Sequence, residues 1–173
     1  MELFQAIELI RFKPSSNKPQ TWADLGCGKG LFTRALASLL PKGSYIHAID
    51  RDVKSMKQIP AGFNDVIIKK TVNDFTTNLL PSQMDGILMA NALHYVADKI
   101  NFLKTHFHSL RDGGYLLIVD YDVQSANQWV PFPITIKEAR DLFAKIGFSS
   151  FQVLNQRPSM FGNHNMYAAI SGK

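Results

Sequence analysis

Gly26, Gly28 and Gly30 stand at every second position directly after Asp24-Leu25. Glycines at this spacing let the backbone turn sharply and let a ligand lie against bare main chain. Asp50 ends the next strand-like run, about 20 residues beyond Gly30, where an acidic side chain can accept hydrogen bonds from ribose hydroxyls. The two features together point to a nucleoside-containing ligand. The phase of the glycines narrows the choice. The dinucleotide fingerprint G-x-G-x-x-G needs its third glycine where Leu31 stands, and the P-loop pattern fails because Lys29 is followed by Gly30 and Leu31. Diphosphate cofactors are disfavoured. A ligand with a ribose, a base and a small charged amino-acid tail suits the loop better.

These residues need a strand before them and a helix behind them. A short run ends in Asp24-Leu25, and the stretch Leu31 to Leu40 puts Phe32, Ala35, Leu36 and Leu39 on one helical face, stopping before Pro41. Further strands are expected at Tyr45–Ile49, Val66–Val72, Phe148–Leu154 and Asn165–Ile170, the Val66–Val72 run being interrupted by Lys69-Lys70. Helices are expected at 2–11, 52–58 and 98–111, the last with Ile100, Leu103, Phe107 and Leu110 in a stripe. His106 and His108 on it do not share a face, so a surface or internally satisfied role is expected rather than metal ligation. Thr135 to Glu138 forms a capping-box pattern, and Gly147 is a stop signal. Alternating strands and helices predict an α/β fold, a parallel sheet covered on both faces. With no repeat and no second domain in view, residues 1–173 are expected to form one domain, 1–19 being a leading helix and loop.

Five segments in order resemble the class I S-adenosylmethionine-dependent methyltransferases, the small-molecule group in particular. Asp24 to Gly30 is similar to that family's first motif, and Ala48-Ile49-Asp50 to its second-strand acid. Asn73-Asp74-Phe75 is similar to the acidic turn after the third strand, Met84 to Val96 to the fourth strand and its loop, and Leu110 to Val119 to the turn and fifth strand. The resemblance runs over residues 20–121 and more weakly to the end. It implies a Rossmann-like three-layer sandwich with a seven-stranded, mostly parallel sheet whose last strand is antiparallel. It implies S-adenosylmethionine as cofactor, with the backbone around Gly26, Cys27 and Gly28 lining the methionine tail, Asp50 on the ribose, and Asp24 and Gly30 also among the cofactor-binding residues. Arg51, Asp74 and Phe75 would lie at the adenine, and Asn91 near the tail or the methyl group.

Composition sets the broad class. The 173 residues are 46% apolar, enough for a globular core. No apolar run approaches the roughly 20 residues needed to span a bilayer, and Met1-Glu2-Leu3-Phe4 lacks a signal-peptide pattern. The cytoplasm is the default compartment. The single cysteine, Cys27, excludes an internal disulfide and a cysteine-cluster metal site, and no metal is expected. Net charge is +5, but the basic residues are scattered without interleaved aromatics, which argues against a nucleic-acid partner.

Methyl transfer from a sulfonium is an in-line displacement, so the protein mainly aligns the acceptor, excludes water and, where needed, takes a proton. His94 is the best single candidate for a base, because imidazole titrates near neutral pH, but packing or capping the helix start is the simpler role for it, and many members of the family need no base. Tyr95 and Tyr121 follow the fourth and fifth strands. Trp129 and Phe132, among two prolines, could form a stiff apolar wall to the acceptor pocket, and 157–162 another edge. The absence of Asn-Pro-Pro-aromatic after the fourth strand argues against amino-methylation of nucleic-acid bases. The position of Cys27 argues against pyrimidine carbon methylation, and Asn91 against metal-assisted catechol methylation. What remains is methyl transfer to a small organic acceptor. The alternative is a cofactor-binding or partner module of the same fold without catalysis. The leading segment is too small for a large lid, so the pocket is expected to be open or closed by another subunit of a homo-oligomer.

Overall fold

In the computed structural model, which describes residues 1–77, 80–159 and 164–173, the chain folds around one eight-stranded sheet. The strands are β1 (Thr21–Leu25), β2 (Tyr45–Asp50), β3 (Gly62–Phe63), β4 (Val66–Val72), β5 (Met84–Ala90), β6 (Leu110–Tyr121), β7 (Gln152–Pro158) and β8 (Asn165–Gly172). Five helices accompany them: α1 (Leu3–Leu9), α2 (Leu31–Ala37), α3 (Val53–Met56), α4 (Lys99–Phe107) and α5 (Ile136–Ile146). The spatial order is β3-β4-β2-β1-β5-β6-β8-β7. β1 pairs in parallel with both β2 and β5, so the strand order reverses there. Ligands of open α/β sheets bind at the carboxyl ends of strands at such a switch point.

β1 is buried over four of its five residues because each face meets a different layer of helices. Trp22 points to one side, packed with Leu9 of α1 and Leu36 of α2. Ala23 and Leu25 point to the other, with Phe102 of α4 and Phe143 of α5. This is the three-layer sandwich implied by the sequence, with β8 antiparallel to both β6 and β7.

The sheet has eight strands rather than seven. The additional β3 is two residues long and pairs antiparallel with β4 through a turn in which Asn64 and Asp65 both adopt positive φ, 49° and 62°. Two consecutive left-handed residues make the hairpin turn whose twist suits neighbouring strands, but a two-residue strand has no periodicity to read. β3 pairs only with Val66 and Ile67, so the rest of β4 forms the sheet's edge. That explains Lys69 and Lys70, both exposed there, with Lys70 Nζ donating to the Ile59 carbonyl at 2.9 Å.

The last hairpin begins later than its apolar pattern suggests. Phe148 and Phe151 pack with Phe143 of α5, and the strand starts at Gln152. The run from Phe148 is apolar because it seals the end of α5, not because it is a strand. Other helices are shorter than their sequence stripes: α4 ends at Phe107, and Leu110 already begins β6. Capping is clearest at α5, where Thr135 and Glu138 exchange the two capping-box bonds and Gly147 closes the helix at φ 116°.

Candidate active site

The loop after β1 is shaped by three left-handed glycines: Gly26, Gly28 and Gly30 have φ of 75°, 52° and 78°. Their surroundings differ. A methyl group on Gly26 would stand 2.8 Å from Ala92 Cβ and 3.2 Å from the Phe75 ring. One on Gly30 would stand 2.8 Å from Ile59. One on Gly28 would meet nothing within 4 Å. Gly30 therefore serves packing, Gly26 serves the approach of the loops after β4 and β5, and Gly28 faces open space.

The loop is fastened to the end of β2. Gly26 and Cys27 donate their backbone N–H groups to the Ile49 carbonyl at 2.8 and 3.1 Å. Asp50 accepts the Gly28 N–H through Oδ2 and the Asp52 N–H through Oδ1, each at 2.8 Å. A carboxylate oxygen has two lone-pair sites, so each still offers one to a further donor.

Behind the loop lies Asp24, which is fully buried and accepts from Thr33 Oγ1 of α2 at 2.6 Å. Its Oδ1 is buried with no partner among the described residues. Burial pushes the Asp24 carboxyl up to about 7, partly offset by the Thr33 bond and reinforced by the nearby Asp50 charge. Asp24 thus braces the loop onto α2 from beneath. Cys27 is also buried, its sulfur 3.4 Å from that of Met56, and burial pushes its thiol far above the usual range. An inert packing role follows.

Six of the sequence-nominated residues line one cleft of about 380 Å³: Gly26, Asp50, Arg51, Asp74, Phe75 and Asn91. Tyr95, nominated on the acceptor side, also lines it, as do Thr76 and Ala92, which sequence reasoning passed over. Ala92 carries no functional group to notice, and its small size matters only because Gly26 lies against it. Asp74 accepts from Thr76 N at 2.9 Å and Thr76 Oγ1 at 2.7 Å, and these bonds hold its carboxyl below the ordinary range. Phe75 packs edge-on to Phe102 of α4 at 5.9 Å. Asn91 sits in the left-handed region at φ 53°, which asparagine tolerates better than most residues. Its side-chain Oδ1 is buried without a partner among the described residues.

The side expected from the sequence to face an acceptor holds a short 3₁₀ turn, Leu93–Tyr95, and the end of β6. His94 is 2% exposed, and its Nδ1 lies 2.7 Å from Oδ1 of Asp120, which is fully buried. The Tyr95 and Tyr121 rings lie 4.4 and 6.0 Å from the His94 ring. Burial raises the Tyr121 hydroxyl, as does the Asp120 charge. Sequence reasoning missed Asp120, because an acid at a strand end gives no sign of which side chain it meets. The 122–134 segment is tied to this turn: Phe132 N donates to the His94 carbonyl at 3.0 Å, and Lys99 Nζ donates to the carbonyls of Val96 and Phe132 at 2.9 and 2.7 Å. Trp129 is 71% exposed and Phe132 43%. Neither lines the cleft, nor does Tyr121. Of the 157–162 edge, Met160, Phe161 and Gly162 lie outside the described residues. Among the described residues no cluster of three or more His, Cys, Asp or Glu could hold a metal ion.

Residues 23–116, just over half of the chain, match the model of a methyltransferase domain. The chain belongs to that family. Within it, the fold and the ordered motifs are those of the class I S-adenosylmethionine-dependent methyltransferases, and S-adenosylmethionine is the cofactor. Solved structures share the architecture. Phosphoethanolamine N-methyltransferase 2 from Haemonchus contortus, in complex with S-adenosyl-L-methionine, superposes with a TM-score of 0.74 at 16% identity, over 98% of this chain and 52% of that one. The YcgJ protein from Bacillus subtilis gives 0.70 at 11% identity over 99% and 97% of the two chains. Human N-acetylserotonin methyltransferase in complex with S-adenosylmethionine gives 0.67 at 21% over 98% and 51%. The chain thus spans about half the length of two of these methyltransferases. None of the curated proteins matches the chain in sequence. No helix among the described residues is long and apolar enough to cross a membrane.

Proposed function

We propose that this methyltransferase domain, taken as one unit over residues 1–173, transfers a methyl group from S-adenosylmethionine to a small organic acceptor at the carboxyl ends of β1, β5 and β6. The observation that carries the proposal is the Asp50–Gly28 bond, which joins the ribose-type acid to the glycine loop on one wall of a cleft. Across that cleft lies Asn91, with its unpartnered Oδ1. A buried carbonyl oxygen with no partner is destabilising unless a ligand donor satisfies it, and the ammonium of an amino-acid tail is such a donor.

The residues fit this cofactor. Gly28 offers bare backbone to the tail. The spare acceptor sites of Asp50 suit a pair of ribose hydroxyls. Asp74 can accept from an exocyclic amine, with Phe75 and Arg51 bounding the base. The bound cofactor supplies the methyl group and a neutral sulfur leaving group. The protein's part is to hold the acceptor in line, exclude water and take a proton at His94 where the acceptor requires it. Tyr95 borders both the cleft and His94, and Tyr121, Trp129 and Phe132 lie on the acceptor side. The cytoplasm is the proposed compartment.

Calorimetric titration of the full chain with S-adenosylmethionine, its demethylated product and NAD tests the reading. Micromolar or tighter binding of the first two, with none of NAD, is expected. Binding of NAD alone would overturn it. Product formation from a panel of small acceptors separates the enzyme from a cofactor-binding module without catalysis.

A further inference from the structure

We infer that a cavity beside the cofactor cleft, floored by His106 of α4, is a second ligand site. Its occupant is an elongated small molecule with an N–H or O–H donor at its buried end, an apolar body and an ammonium at its open end. The inference rests on the cavity's own lining and not on how the neighbouring cleft is read.

The cavity holds about 380 Å³ between α4 and the turn after β4. It meets the cleft at Thr76 and Tyr95, which line both. Phe102 and His106 are the buried part of its lining, whereas Asp98, Asn101 and Thr105 are exposed. His106 is 4% exposed, and its ring lies 4.5 Å from that of Phe102. One ring nitrogen donates to the Phe75 carbonyl. Nδ1 is buried with no partner among the described residues, so the donor is Nε2. Burial holds the imidazole below its ordinary pKa and keeps it neutral. A neutral ring protonated at Nε2 carries its lone pair on Nδ1, which is therefore an acceptor in need of a donor.

The neighbouring side chains do not supply one. The Thr76 hydroxyl donates to Asp74 Oδ1 at 2.7 Å, that of Thr77 to the Asp74 carbonyl at 3.2 Å, and that of Thr105 to the Asn101 carbonyl at 3.0 Å. The Asn101 amide donates to Asp98 Oδ2 at 2.6 Å. Beyond the Tyr95 hydroxyl, the described lining offers only acceptors, and no Lys or Arg stands among it. The one full charge there is the Asp98 carboxylate, which still has lone pairs to spare after meeting Asn101. Asp98 and His106 stand about two turns apart on α4, so an occupant meets both only if it is elongated. Such a lining repels anions and suits a donor-rich cation. The buried contact at Nδ1 should dominate, because an ion pair at the exposed Asp98 adds little in water.

Tyramine is a suitable probe, because one ring and a two-carbon arm join its phenol donor to its ammonium. Titrated into the ¹⁵N-labelled full chain, it should bind saturably with a Kd of about 1 mM or tighter and shift the His106 ring nitrogens. Phenethylamine, which lacks the hydroxyl, should bind about tenfold more weakly. The para-hydroxyphenylpropionate anion, with a carboxylate in place of the ammonium, should bind about threefold more weakly or worse. His106→Phe keeps a ring beside Phe102 and should bring tyramine down to the affinity of phenethylamine while leaving phenethylamine unchanged. Asp98→Asn keeps a capping side chain on α4 and should weaken both amines by about threefold. Saturating demethylated cofactor should leave tyramine affinity within about twofold, since each ligand has its own polar groups. No saturable tyramine binding, equal binding of tyramine and phenethylamine, or displacement of tyramine by the demethylated cofactor would each overturn the inference. So would a carboxylate probe that binds as well as tyramine. These comparisons use the wild-type chain, so a His106→Phe protein that fails to fold, judged by thermal unfolding, leaves the test intact. Failure of the demethylated cofactor to bind would instead fell the reading of the cleft.

Discussion

The Asp50 carboxylate and the Gly28 amide are 2.8 Å apart, although they leave two different strands. The ribose-type acid and the glycine loop are therefore one unit. The acid shapes the loop, and the loop fixes the acid's rotamer before any ligand arrives. Parallel pairing of β1 with β2, Leu25 opposite Ile49, sets this contact.

Asp50→Ala should lose both the ligand's acceptor and the fastening of the loop. A charge-assisted bond of this kind contributes roughly 1.5–3 kcal/mol. Calorimetry should show S-adenosylmethionine binding weakened by about tenfold to a hundredfold or more, with a smaller loss of thermal stability. Unchanged affinity would remove Asp50 from the site.

The glycines should respond unequally. Gly26→Ala places a methyl 2.8 Å from Ala92 in a left-handed residue, so backbone strain and a clash combine. A loss of about 2–4 kcal/mol in denaturant unfolding is expected. Gly28→Ala meets no neighbour, leaving only the strain of about 1–2 kcal/mol. Its larger effect should fall on cofactor affinity. A Gly28→Ala protein that binds normally would place the ligand elsewhere.

Asp24 gives the domain a pH signature. Its carboxyl is raised to about 7 in the fold, well above the ordinary value of an unfolded chain. The protonated acid is thus the form the fold prefers. Its contribution is fully present below about pH 4 and is lost as pH rises towards 7, by on the order of 2–4 kcal/mol. Urea unfolding of wild type and Asp24→Asn across this window should show the variant gaining relative stability as pH rises. A difference that stays flat with pH would refute the assignment.

Gly86 lies in the middle of β5 against the Trp22 ring, and a methyl there would stand 2.4 Å from it. Trp22 is fully buried and its indole N–H donates to Gln20 Oε1 at 2.9 Å, so it has little freedom to move. Gly86→Ala should therefore destabilise by about 3 kcal/mol or more. A melting temperature near that of wild type would show that the ring can shift.

The phase of Gly26, Gly28 and Gly30, the distance on to Asp50 and the capped helix after Thr135 could all be read along the chain. Each is a local pattern, and local patterns are written in consecutive residues. The strand at Gly62–Phe63 could not be read, because two residues carry no period. Nor could the true start of β7, because apolar residues sealing a helix end look like apolar residues in a strand.

The sequence by itself determined the fold class and the glycine loop with its acid, since glycine φ freedom and side-chain periodicity are properties of the chain alone. Only the tertiary structure decided that Asp24 braces the loop from beneath while Asp50 faces the cleft, and that His94 meets Asp120. Those outcomes depend on strand register and side-chain direction between residues far apart in sequence, which no spacing along the chain encodes.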